Sequence, residues 1–173
     1  MVSSDPRRST STQHCVTATC SENSSCVIVK PHCVLSGQFG SVVARIQAAG
    51  WDVKAVKLHN FERANAEEFY EVYKEVVQEY DMMVCELTSG PCIALEVAPM
   101  GNNSSSIDES NSVIARFKSE VAGPRDPVIA KDLDPNTLRA QFGQDKVKNC
   151  VHCTDLPDDS TLELSYCFQI LCE

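Results

Sequence analysis

The 173-residue sequence lacks any apolar run approaching the roughly 18 residues needed to span a bilayer, which excludes a membrane-spanning helix. It is short of positive charge: 15 Lys and Arg stand against 24 Asp and Glu, a net charge of −9 with a pI near 4.9. A chain this acidic is repelled by a phosphate backbone, so general nucleic-acid binding is not expected and a small anion would need a local basic pocket. Met1 to Ser25 has no apolar stretch and carries Asp5, Arg7 and Arg8 among eleven Ser or Thr, so no secretory signal is expected there. There is no G-x-x-x-x-G-K-[ST] and no G-x-G-x-x-G, and Gly37-Gln38-Phe39-Gly40 lacks a following lysine. Any nucleotide must therefore be held by scattered side chains. No internal repeat is visible.

What is present is ordinary globular composition, 43% hydrophobic and 23% charged, long enough for one domain with a real core. The ten cysteines fall partly inside apolar stretches, as at Cys26 and Cys92, where a thiol acts as a small hydrophobe. Without a signal segment they read as reduced thiols of a cytoplasmic protein. Residues 1–25 are expected to be a flexible polar leader and residues 26–173 the folded domain.

Pattern then places the elements. Cys26-Val27-Ile28-Val29 suits a buried strand ended by Lys30-Pro31. Helical spacing runs from Ser36 to Gly50, and alternation over Trp51 to Leu58 predicts a half-buried strand. Phe69, Val72, Tyr73, Val76, Val77 and Tyr80 predict one long amphipathic helix opened by Asn65. Met82 to Thr88 is ambiguous, with a short helix as one reading, and Cys92 to Val97 reads as a strand. Met100 to Ser112 reads as an exposed polar loop, and a helix resumes near Asn111 with Phe117 and Val121 inward. A loop-rich stretch follows Gly123, then a strand at Asn149 to Cys153 and a last helix from about Ser160. The order predicts an α+β fold of ferredoxin-like type, an antiparallel sheet sandwich covered by helices.

Of the four histidines, His14 and His59 read as solvated, whereas His152 ends a short apolar strand beside a turn, where a side chain can face a cleft. By local sequence alone a structural or surface role for His152 is the commoner one. Cys150-x-x-Cys153 brackets it, but no second such pair exists to complete a zinc site, and the pair lies largely within the strand rather than at a helix start. Lys30, Lys118, Arg139, Lys146 and Lys148 are candidate phosphate contacts, each by itself a solvated surface charge.

Val29-Lys30-Pro31, Ser89-Gly90-Pro91, Thr137-Leu138-Arg139 and Asn149-Cys150-Val151-His152-Cys153-Thr154-Asp155, in this order, resemble the nucleoside diphosphate kinase family. The resemblance runs from about Cys26 to the C-terminus. Stretches such as 67–74 and 151–157 look closest to the second kinase domain of a two-domain member associated with axonemal microtubules and the γ-tubulin ring complex. The resemblance implies transfer of the terminal phosphate of ATP or another nucleoside triphosphate to a nucleoside diphosphate, by ping-pong through phospho-His152. Magnesium is expected on the nucleotide phosphates rather than on protein ligands. Glu163 matches the family's orienting glutamate and Thr154 the hydroxyl residue beside it. Lys30 and Arg139 match its phosphate-binding cations, Asn149 its sugar-contacting asparagine and Tyr70 the tyrosine near the histidine. Tyr80 falls one residue from the aromatic on which the base stacks.

The departures are equally specific. His32-Cys33 stands where the family has Asp-Gly. Ser119 occupies the place of a second phosphate-binding arginine, with Lys118 the nearest cation, and Arg125 replaces a threonine. Lys is a point charge without the planar fork of Arg. The 99–112 insert and the short run after Glu163 bear on turnover and on hexamer formation. The resemblance thus leaves two expectations, an enzyme or a structural module of cilium or cytoskeleton with little activity. The leader resembles an inter-domain segment, so a longer two-domain protein is expected.

Overall fold

Five consecutive buried residues make β1 (Ser25–Val29) the centre of the molecule. In the computed structural model, which describes residues 23–101 and 112–172, the chain continues through α1 (Pro31–Leu35), α2 (Phe39–Ala48) and β2 (Trp51–His59). It then forms α3 (Arg63–Phe69), α4 (Tyr80–Leu87) and β3 (Cys92–Pro99). After residue 112 come α5 (Val113–Arg116), a π-helical turn (Phe117–Ala122), α6 (Pro127–Leu133), α7 (Leu138–Phe142), β4 (Val151–Cys153) and α8 (Asp159–Phe168). The sheet order is β2-β3-β1-β4, with every neighbouring pair antiparallel.

Because side chains alternate across a strand, β1 feeds two cores. Val27 and Val29 pack with Val42, Ile46, Trp51, Phe117 and Leu138 on one face, where the Trp51 and Phe117 rings meet edge-on at 4.9 Å. Cys26 and Ile28 pack with Phe61, Tyr70, Val84, Leu87 and Leu164 on the other. This is the predicted α+β sandwich.

Several local expectations change. The long helix over 65–80 is broken: α3 stops at Phe69, a 3-10 turn covers Glu71–Tyr73, and Glu75 takes a φ of 65°. The burial of Tyr70 and the bond from the Tyr73 hydroxyl to Asp155 override the continuous stripe, and Val72 and Val76 are left 69% and 78% exposed. In β2 a bulge between Val53 and Ala55 leaves Val56 and Leu58 facing solvent. The stretch after Gly123 is helical twice rather than simply loop-rich, since Pro127 is set at the start of α6 and the Asp126 side chain accepts the Val128 N–H. His59 is buried, not solvated, against Phe61. β1 begins one residue before the expected boundary at 26. Most of the 1–25 leader, with His14, and most of the 100–112 loop lie outside the described residues. No helix among the described residues is long and apolar enough to cross a membrane.

Candidate active site

Pairing of β4 with β1 places His152 opposite Ile28, and thus on the face of the second core. Its ring lies edge-on to Phe69 at 5.0 Å and to Tyr70 at 5.8 Å. Nε2 sits 2.9 Å from Glu163 Oε1, while Glu163 Oε2 accepts the Thr154 hydroxyl at 2.7 Å. Thr154 Oγ1 in turn accepts the Cys26 backbone N–H at 3.1 Å. A carboxylate only accepts, so the ring proton is assigned to Nε2 and the lone pair to Nδ1. Nδ1 makes no hydrogen bond among the described residues.

His152 lines a cleft of about 620 Å³ together with Lys30, Tyr70, Lys118, Arg139 and Asn149. Lys30, at the end of β1, is buried and donates from Nζ to Val147 O and Asn149 Oδ1, both at 2.7 Å. Burial first, and then repulsion from Arg139, lower its pKa to about 7. An arriving anion meets a lysine held at the edge of ionisation. Arg139, on α7, is also buried; it donates to Gly123 O at 2.8 Å and to Val151 O at 3.1 Å. Gly123 has a φ of 81°, and a Cβ there would lie 2.4 Å from Thr137 Oγ1, so glycine is required for this approach. Asn149 Nδ2 donates to the Arg125 carbonyl at 3.2 Å.

The Tyr70 hydroxyl is buried with no hydrogen-bond partner among the described residues, and burial drives its pKa far upward, so it stays an O–H donor. Lys118, at the rim, is 2.6 Å from Asp155 Oδ1, and the Tyr73 hydroxyl donates to Asp155 Oδ2. Burial alone would raise the Asp155 pKa, but the Lys118 and Tyr73 hydrogen bonds hold it below the ordinary carboxylate value.

The structure therefore gathers Lys30, Tyr70, Lys118, Arg139, Asn149 and His152 at one cleft, with Glu163 and Thr154 behind the histidine. Tyr80 is not brought there: its hydroxyl donates to the Glu67 carbonyl at 3.3 Å, and it packs at the start of α4. Ser119 lines the cleft with its hydroxyl turned back to the Ala115 carbonyl at 2.8 Å. Arg125 lines it too, with Nη2 3.1 Å from Glu79. Tyr73 is the lining residue that periodicity misassigned, because its spacing matched a core stripe. Among the described residues no three His, Cys, Asp or Glu converge as a metal cage, Cys150 and Cys153 included. Buried Lys30 and Arg139 beside a histidine with one free nitrogen suit a polyanion.

A family model for nucleoside diphosphate kinase matches residues 23–171. The chain is 48% identical over 149 residues to nucleoside diphosphate kinase homolog 7 of Rattus norvegicus, covering 86% of this chain but 35% of that protein. It is 33% identical over 142 residues to nucleoside diphosphate kinase of Aquifex aeolicus, covering 82% of this chain and 91% of that one. A crystal structure of the Aquifex aeolicus enzyme superposes with a TM-score of 0.72 at 32% identity, over 85% of this chain and 95% of the other. The chain spans about a third of the length of its rat and mouse relatives. It belongs to the nucleoside diphosphate kinase family.

Proposed function

We propose that this domain transfers the γ-phosphate of a nucleoside triphosphate to a nucleoside diphosphate through phospho-His152. The observation that carries this reading is the His152–Glu163–Thr154 chain, which fixes one tautomer and leaves Nδ1 free at a cleft of buried cations. In the first half-reaction the Nδ1 lone pair attacks the γ-phosphorus, forming the N–P bond as the bond to the β-phosphate oxygen breaks and the diphosphate leaves. In the second, an acceptor diphosphate attacks the same phosphorus and the N–P bond breaks. Nε2–H stays donated to Glu163, which stabilises the positive charge of the phosphorylated ring. Phosphoryl transfer spreads negative charge over several oxygens, and Lys30 and Arg139 are positioned to neutralise it. Magnesium enters on the nucleotide phosphates, as part of the substrate.

Purified protein incubated with γ-labelled ATP and magnesium should acquire a label that is lost in acid, survives alkali and passes to added GDP. In His152→Ala the label should be absent while the fold remains. Normal transfer by that variant would sink the reading. A second role as a structural module of cytoskeleton or axoneme is favoured by Lys118 being engaged on Asp155 and by Ser119 in the arginine's place. Retained nucleotide binding without any label would support that role over catalysis.

A further inference from the structure

Beneath Lys30, where α1 meets the chain entering β4, lies a cluster that phosphate transfer does not use. His32 Nδ1 is 2.7 Å from Glu86 Oε1, both side chains being almost fully buried. The acceptor-only carboxylate places the proton on Nδ1, leaving Nε2 as an acceptor. Two groups converge on Nε2: the Cys150 backbone N–H at 3.2 Å and Cys33 Sγ at 3.4 Å. Cys33 and Cys150 lie in the same buried core cluster and flank this one ring nitrogen. Cys150 has a φ of 77°, and the Val151 N–H closes back onto Asn149 O at 3.0 Å. That is the rare γ-turn of positive φ, a strained conformation for a residue with a side chain.

We propose that Cys33 and Cys150 are a peroxide-reactive dithiol, with Cys33 the attacking sulfur, His32 its base, Glu86 the positioning carboxylate and Cys150 the resolving thiol. The Cys33 proton passes to His32 Nε2. The thiolate attacks one oxygen of hydrogen peroxide, forming S–O and breaking O–O, and the departing hydroxide takes the proton from His32 as water. Cys150 sulfur then attacks the Cys33 sulfenic acid, forming S–S and breaking S–O, and its thiol proton leaves with the hydroxide as a second water. Two electrons move from the sulfurs to one peroxide. Cys33 is fully buried, which fits a small uncharged oxidant and excludes bulky disulfides. The Cys150 hydrogen bond lowers the Cys33 pKa to about 6 against burial, with His32 adding to it. The Cys26 thiol, which also meets a second cysteine, is by contrast pushed well up by its contact with Cys167 and by burial.

The test treats the reduced full chain with equimolar hydrogen peroxide, blocks remaining thiols and maps the peptides by mass. The expected first product is a Cys33–Cys150 disulfide, two hydrogens lighter and restored by dithiothreitol. His32→Ala and the shape-preserving Glu86→Gln should each slow its formation roughly tenfold, as thiolate is lost at neutral pH. Cys150→Ala should leave a Cys33 sulfenic acid, which dimedone traps when the oxidised chain is unfolded in its presence. Oxidation confined to exposed Cys85, with Cys33 and Cys150 still thiols, overturns the proposal, as does unchanged kinetics in both the His32 and Glu86 variants. Each readout is a mass, so the result stands whether or not the domain transfers phosphate.

Discussion

Among the described residues are two imidazole–carboxylate pairs, and they are mirror cases. His152 gives Nε2 to Glu163 and keeps Nδ1 at an open cleft; His32 gives Nδ1 to Glu86 and keeps Nε2 against two cysteines in the interior. The carboxylate does the same thing in each, selecting a tautomer. What the spare nitrogen faces then decides the chemistry, a cleft walled by Lys30 and Arg139 in one case and sulfur in the other. Residue types alone do not distinguish the pairs.

The largest expected effect breaks the pairs apart. His152→Ala abolishes acid-labile labelling from γ-labelled ATP, while His32→Ala retains measurable labelling. Loss of label in both, with both folded by circular dichroism, would join the two histidines into one function. Next comes the carboxylate itself: Glu163→Gln lowers the single-turnover transfer rate about tenfold or more, a cost of about 1.4 kcal/mol in the barrier. Glu86→Gln leaves that rate within the same decade.

A third effect concerns the cation between the pairs. The Lys30 pKa is lowered to about 7, whereas an unfolded lysine titrates near 10.4. Between these values the unfolded chain binds more protons, so Lys30 makes stability rise with pH from about 7 to about 10. Urea midpoints across this range should show that slope in the wild type and a weaker one in Lys30→Met. Bound phosphate, by favouring the charged lysine, should flatten it. The smallest effect is at the rim. Lys118→Ala removes a half-exposed pair with Asp155 and should change stability by about 0–1 kcal/mol, while raising KM for nucleotide more than it lowers kcat.

Much of this was legible beforehand. The strand runs at Cys26, Trp51 and Cys92 alternate or stay apolar as sheet burial demands, and the family resemblance carried by the Asn149–Asp155 box singled out His152 and, eleven residues on, Glu163. The His32–Glu86 pair was not legible, because its members lie 54 residues apart and meet only through the fold. Nor was the tuning of Lys30, which depends first on its burial and then on Arg139, far away in sequence. The broken helix after Phe69 shows a limit of periodicity: Val72, Tyr73 and Val76 repeat like a core face, yet only a packed partner makes such a face helical and buried.

The sheet order has a consequence in time. β1 is made first but sits between β3 and β4, paired from Ser25 to Val97 and from Val27 to Cys153. Such distant pairings are slow to close, because loop entropy is spent before contacts form. During synthesis Val27, Ile28 and Val29 stay an unpaired apolar edge on one side until β4 emerges, open to association with other nascent chains. The strand that carries His152 is also the one that seals this edge, so a molecule in which His152 reaches the cleft has already passed its most aggregation-prone stage.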